Sequence, residues 1–150
     1  MLLANLLLAG LMVVLTSTIQ FTGLVGLSWV LRRRYTRHPE HFIGIAWQGV
    51  SIITIVIGLF MLHGVQIWVY TLTYLALGQF ETVETALYFS TSTFTTVGFG
   101  DVILDSNWRM LAAAESANGF LLIGWSTAFL VSVTTRVRMF EAEIEHLDQH

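Results

Sequence analysis

The chain has no cysteine, a single proline and few charges, which make up only 11% of its 150 residues. Without cysteine it has no disulfides and no thiolate metal sites, and nothing about compartment follows. With Pro39 as the one proline and no low-complexity run, the sequence offers no linker on which to divide it, and its length allows one domain. A soluble domain carries about a quarter charged residues. This chain is instead 55% hydrophobic, with a mean hydropathy of +0.69. The formal net charge of −3 is too small to imply a nucleic-acid partner. The histidines are scattered, with no His-x-x-x-His or Glu-x-x-x-His pair in the apolar region and no nucleophile motif, so an enzyme is not expected. Nothing resembles a nucleotide-binding domain, so any ligand-driven input is expected from a separate regulatory partner.

What the sequence does have is long apolar segments, and the composition points to an all-α membrane protein. Residues 1–31 carry no charge and exceed the roughly 20 apolar residues that a spanning helix needs. A cleaved signal peptide would have a basic start and an apolar core of roughly 7–15 residues, so a retained helix is expected. Arg32, Arg33, Arg34, Arg37 and His38 follow, and Pro39 ends any continuing helix. A short basic loop over 32–41 favours the cytoplasmic side, which puts the N-terminus outside. Bunched at one end of a span, these arginines lack the spacing of a voltage sensor. They read as determinants of topology and as contacts to lipid headgroups.

A second span, 42–70, returns to the outside, with Trp47 and Trp68 near its ends, where interfacial aromatics are expected. His63 and Gln66 lie in its outer part. His63 is a candidate pH sensor, because histidine changes charge near neutral pH; a place near the outer headgroups would need no such role. Residues 71–80 form a short outer segment. The third span, 108–135, ends inside, just before Arg136 and Arg138. Both basic clusters are then cytoplasmic, which makes a multi-pass protein of the cell membrane with its C-terminus inside.

Between the second and third spans, residues 82–94 are too few and too polar to cross a bilayer but long enough for a re-entrant helix. They lead into Thr95, Thr96, Val97, Gly98, Phe99, Gly100 and Asp101. Irregular backbone at membrane depth must be buried in protein or line water. Four copies of a Thr-Val-Gly-aromatic-Gly stretch around an axis line a pore with carbonyls that replace the water shell of K⁺. Thr96 adds a hydroxyl, and the glycines supply backbone angles that a Cβ resists. One copy cannot enclose an ion, so a homotetramer in membrane lipid is expected.

With the lead-in Ala86, Leu87, Tyr88, Phe89, Ser90, Thr91, Ser92, Thr93 and Phe94, the sequence resembles the pore module of the potassium-channel superfamily. The likeness covers roughly 42–138 as outer helix 42–70, pore helix 82–94, filter 95–101 and inner helix 108–135. Trp108, Arg109 and Gly119 also fit the pattern. The resemblance implies K⁺ coordination by the carbonyls of Thr96, Val97, Gly98 and Phe99. It also implies filter support from Tyr88, Phe89, Ser92, Thr95, Gly100 and Asp101. Gly119 matches the point where inner helices bend, with Gly124 a second point of flexibility, although small residues equally serve close packing. Phe99 stands where tyrosine is usual, and Tyr88 and Phe89 where many members have tryptophans. Ser92 stands where some members have a glutamate paired with the aspartate after the filter. These departures imply a filter braced by packing more than by hydrogen bonds, with selectivity sensitive to external K⁺. Glu115, about two turns into the inner helix, should face protein or water, bonded to a neighbouring subunit or to Asn118.

The expected function is passive K⁺ conduction through a homotetrameric pore, with K⁺ as permeant ion and no cofactor. The alternatives are a weakly selective monovalent cation channel and a non-conducting assembly subunit. The first span is not explained by the resemblance, but its Thr16, Ser17, Thr18 and Gln20 prefer protein to lipid. In the tail, 139–150, the seam of Val133, Val137, Phe140, Ile144 and Leu147 has heptad spacing. It suggests a short bundle below the pore, flanked by Glu141, Glu143, Glu145, His146, Asp148 and His150, whose protonation at low pH would relieve repulsion between copies. A solvated tail is the simpler alternative.

Overall fold

The computed structural model describes the backbone of residues 2–37 and 45–147, and the side chains of 2–33 and 49–135. It is all-helical over the described residues, with four elements: α1 (Leu2–Arg37), α2 (Ile45–Ala76), α3 (Val83–Phe94) and α4 (Arg109–Leu147). Three stretches are long and apolar enough to cross a membrane, namely Leu2–Arg33, Gly49–Ala76 and Arg109–Thr135. The all-α membrane architecture is borne out.

Two helix ends differ from expectation. α1 continues to Arg37, so Arg32, Arg33, Arg34 and Arg37 sit on helical backbone rather than in a loop. Arginine is a good helix former, and the first helix breaker in the sequence is Pro39, which lies outside the described residues. α2 runs to Ala76 instead of ending near 70. Thr71 and Thr73 donate their hydroxyls to the Ile67 and Val69 carbonyls one turn back, each at 2.8 Å, which lets polar side chains stay within a helix. The stop comes at Gly78 (φ 66°). There Gly78 N–H donates to Leu75 O and Gln79 N–H to Tyr74 O, both at 3.0 Å, a left-handed cap that satisfies the last carbonyls. Of the expected cytoplasmic seam, Val137, Phe140, Ile144 and Leu147 lie on the helical backbone of α4, but their side chains lie outside the described ones.

α1 packs against both α2 and α4 of its own chain. Asn5 donates to Asn107 O, Thr16 Oγ1 accepts from Asn118 Nδ2 and Gln20 donates to Leu122 O, each pair 102 residues apart. A constant difference along two helices means they run parallel in fixed register. Against α2 the order reverses: Gln66 meets Gln20, while Gly23 seats the Leu62 side chain and Gly58 seats Leu27. The two are antiparallel, with a leucine of each laid on a glycine of the other. Small residues that allow such approach are the usual means of helix association in lipid.

Polar side chains fill the middle of this three-helix contact. Gln20 donates to Ser126 Oγ at 2.8 Å and accepts from Gln66 Nε2 at 2.9 Å. Asn118 donates to Thr16 Oγ1 at 2.7 Å and to Tyr70 Oη at 3.1 Å. Thr16, Gln20, Gln66 and Tyr70 are fully buried. The preference of the Thr16 and Gln20 patch for protein is therefore met within the chain, whereas Thr18 is exposed and bonds its own helix backbone. Interhelical hydrogen bonds in membranes average about 0.6 kcal/mol and reach about 1.7. Gln20→Leu, which deletes the three interhelical bonds to Leu122 O, Ser126 and Gln66, is expected to cost about 1–3 kcal/mol. Thermal unfolding of the detergent-solubilised protein checks this, and an unchanged midpoint would refute it.

Candidate functional site

The re-entrant helix α3 is set by its ends. Thr82, in extended conformation (φ −120°, ψ 145°), caps the N-terminus by accepting from Thr85 N–H, and Glu84 sits in the first turn, where a negative charge favours the helix dipole. Ala86, Phe89, Ser90 and Phe94 form its buried face, which packs on α2 and α4. The C-terminal pole, where unpaired carbonyls give the helix its negative end, leads directly into the irregular run at 95–101.

That run is held to α3 by backbone bonds. Thr95 N–H donates to Thr91 O at 3.1 Å, Thr96 N–H to Thr93 O at 3.0 Å and Gly98 N–H to Ser92 O at 3.0 Å. Its dihedrals alternate in sign: Thr96 (φ 63°), Gly98 (φ 52°) and Gly100 (φ 77°) are left-handed, while Val97 and Phe99 are not. In an extended strand successive carbonyls point to opposite sides. Residues that alternate in the sign of φ can turn every second peptide over, an arrangement that would bring successive carbonyls to one side. A β-branched residue in the left-handed region is a genuine outlier, and strain of this kind, of order 1–3 kcal/mol, concentrates at functional sites. The whole run from Thr95 to Asp101 is exposed in the single chain, with Val97 54% and Phe99 70% accessible.

The side chains around the run divide in a way the sequence did not show. Tyr88 donates to Asp101 Oδ2 at 2.8 Å, and Asp101 Oδ1 accepts from Val102 N–H at 3.0 Å. The Tyr88 ring also stacks on Phe99, 6.3 Å between centroids and 7° from parallel. The expected bracing by packing, in the Tyr88–Phe99 stack, is joined by a hydrogen bond: the tyrosine supplies the partner that Ser92 does not offer to Asp101. That bond is the main reason the Tyr88 phenol is raised above its ordinary value of 10.0, which keeps the donating hydrogen in place. Phe89 faces away, into a cluster with Tyr74 (5.2 Å, edge-on) and Phe80 (5.2 Å). Ser92 holds Gly98 through its carbonyl, and its hydroxyl bonds Phe89 O at 3.0 Å. The Thr95 hydroxyl bonds Thr91 O at 2.8 Å.

Behind α3, Gly119 of α4 is buried against the last residue of the re-entrant helix. A Cβ there would stand 2.8 Å from the Phe94 carbonyl carbon and closer still to its oxygen. The structure thus gives Gly119 a packing task, whereas Gly124 faces open space. Phe94 also meets the His63 ring at 5.8 Å, and His63 Nδ1 lies 2.9 Å from Gln66 Oε1. His63 therefore sits beside the C-terminal end of α3. Glu115, fully buried, bonds Tyr74 and Ser90 within the chain rather than Asn118. It accepts from Tyr74 Oη at 2.5 Å, and its Oε1 lies 2.6 Å from Ser90 Oγ, bridging three helices. Tyr74 belonged to a stretch read as a short outer segment, and so nothing in the sequence signalled this contact. Asp105 N–H bonds Gln79 Oε1 at 3.2 Å, tying the loop after the run to the end of α2.

Comparison with known proteins finds one family model, described as an ion channel, that matches residues 59–136. The match takes in most of α2, all of α3 with the run after it, and the apolar part of α4; α1 lies before it. Neither a curated protein nor a solved structure matches.

Proposed function

The chain belongs to this ion-channel family, whose model spans more than half its length, and from that membership we propose that it is a potassium-selective channel. The observation that carries the reading is the alternating left-handed run at Thr96, Gly98 and Gly100, set at the negative pole of α3. In a homotetramer the carbonyls of Thr96, Val97, Gly98 and Phe99, with the Thr96 hydroxyl, would form stacked oxygen rings that replace the hydration shell of K⁺. The exposure of this run in one chain supports the assembly, because a filter is covered only by its own copies. K⁺ is the permeant ion, and conduction requires no cofactor. The N-terminus would lie outside and the C-terminus in the cytoplasm, since both arginine clusters then face inward.

Electrical recording from the purified protein in a bilayer tests the reading. The weakly selective alternative rests on the departures at Phe99 and Phe89, and the Tyr88 brace opposes it. Tyr88→Phe, which keeps the stack on Phe99 but removes the donor to Asp101, is expected to make current decay severalfold faster at low external K⁺ than in the parent. Equal decay in the two channels would show that the brace is irrelevant.

His63 carries a second, regulatory reading because its ring contacts Phe94. Protonation there would place a charge beside the base of the filter helix, with Nδ1–H still donating to Gln66 Oε1. The expected result is a conductance that differs between neutral and acidic solution in the parent and not in His63→Gln. The same pH response in both would remove the assignment.

A further inference from the structure

Behind the filter helix, Tyr74, Glu115, Ser90 and the Ile67 carbonyl form a linear chain of oxygens, whose Ile67 end also accepts from the Thr71 hydroxyl at 2.8 Å. Tyr74 Oη is 2.5 Å from Glu115 Oε2, Ser90 Oγ is 2.6 Å from Glu115 Oε1, and Ser90 Oγ is 3.1 Å from Ile67 O. These contacts need one hydrogen each. Tyr74 supplies the first from its phenol. Ser90 has only one hydroxyl hydrogen, yet it sits within bonding distance of two oxygens. If Glu115 is a carboxylate, both neighbours of Ser90 are acceptors only, and one contact goes without a hydrogen. If Glu115 carries its proton, every contact is made: Glu115 Oε1–H donates to Ser90, and Ser90 donates to Ile67 O.

The surroundings agree with the second count. Glu115 and Ser90 are fully buried at the centre of the helix packing, where an unpaired charge is costly. From α2 the titratable groups facing Glu115 are Tyr70 and Tyr74; α3 offers Ser90, and α4 offers Asn118 one turn on. α1 carries no charged side chain from 2 to 31. On α4 the nearest arginine is Arg109, six positions earlier, about 9 Å along the axis. None of these neighbours supplies the positive charge that a carboxylate would need.

We propose that Glu115 is a positioning residue for the filter, acting as a neutral acid that donates to Ser90 and so fixes α3 between α2 and α4. It does not touch the permeant ion. Ser90 lies one turn before the Phe94 end of α3, and the Ser92 carbonyl two residues on holds Gly98 N–H at 3.0 Å. A shift of Ser90 therefore moves the anchor of the filter backbone. The inference rests on the potassium-selective reading for its electrical readout alone.

The test uses the full chain reconstituted in lipid as the parent and as Glu115→Gln, Glu115→Ala and Ser90→Ala, each confirmed by size as the parent assembly. Glutamine reproduces the neutral acid, since its amide N–H₂ donates to Ser90 and its carbonyl accepts from Tyr74. Glu115→Gln is expected to keep the parent reversal potential with K⁺ on one side and Na⁺ on the other. Glu115→Ala and Ser90→Ala are expected to lose at least tenfold in the K⁺-to-Na⁺ permeability ratio. Should Glu115→Ala fail to assemble, Ser90→Ala decides, because it removes a single oxygen. Parent-like selectivity in Ser90→Ala overturns the positioning role, and a Glu115→Gln channel as impaired as the alanine variant overturns the neutral form. Infrared spectra of the same samples give an independent readout, expected to show a protonated carboxyl C=O band at neutral pH that Glu115→Gln abolishes. Its absence in the parent refutes the proposal whatever the selectivity. A parent that conducts without selectivity but shows the band would instead refute the potassium reading.

Discussion

Gly119→Ala is expected to abolish or severely reduce the folded channel, the largest stability effect of any single methyl group in this chain. The Cβ would enter the Phe94 backbone, 2.8 Å from its carbonyl carbon and 3.0 Å from its Cα. Flexible side chains yield to such a contact, but backbone carbonyls fixed within a helix do not. Overpacking a well-filled core costs about 1–3 kcal/mol, and here both surfaces are backbone, so the cost per subunit lies at or above the top of that range. Relief would require α4 to move off α3, pulling Glu115 from Ser90 and Asn118 from Thr16. Gly124→Ala is the control: a Cβ there meets nothing within 4 Å, and a methyl in place of hydrogen should be neutral or slightly stabilising for a helix. Thermal stability and assembly of the two variants in detergent decide the matter. Equal behaviour would mean that α4 does not approach α3 as described.

The second large effect is on selectivity. Gly98→Ala is expected to bring the reversal potential under opposed K⁺ and Na⁺ from near the K⁺ equilibrium value to near zero, or to silence the channel. Nothing lies within 4 Å of the added Cβ, so space is not the obstacle, but Gly98 has φ +52°. For an L-residue the left-handed conformation costs roughly 1–2 kcal/mol. Across four copies around one axis that amounts to about 4–8 kcal/mol, enough to turn the peptide over and withdraw its carbonyl from the pore. The same substitution should leave the helical content unchanged, since the run makes no helical bonds of its own beyond those to α3. A channel with the parent reversal potential would show that this backbone does not select the ion.

The spans were legible in the sequence because hydropathy acts over twenty residues at a time and tolerates local exceptions. The re-entrant helix and the glycine run were legible for the opposite reason: a few residues with special backbone needs occur in a fixed order. The end of α2 was not, because Thr71 and Thr73 look like loop residues until their hydroxyls are seen to bond the preceding turn. The buried polar contacts were only half legible. Thr16, Gln20 and Glu115 announced themselves as polar groups in an apolar setting. Their partners depend on the register between helices distant in sequence, which no local pattern records. Tyr88 and Phe89 show the same limit within one helix. Adjacent positions point about 100° apart, so one braces the run after α3 while the other fills the core with Tyr74 and Phe80.

The account also gives the first helix a place. Through Thr16 and Gln20, α1 bonds the polar side chains of Gln66, Asn118 and Ser126 on α2 and α4. Its Thr16 bonds Asn118, the neighbour of Gly119, so the helix that the family model leaves out is joined to the packing behind α3.

The central claim, selection of K⁺ by the Thr96 to Phe99 backbone, is tested most directly by the reversal potential of the purified full-length protein in a planar bilayer. With K⁺ on one side and Na⁺ on the other, the account predicts a strong displacement toward the K⁺ equilibrium potential. A clear current reversing near zero would contradict it.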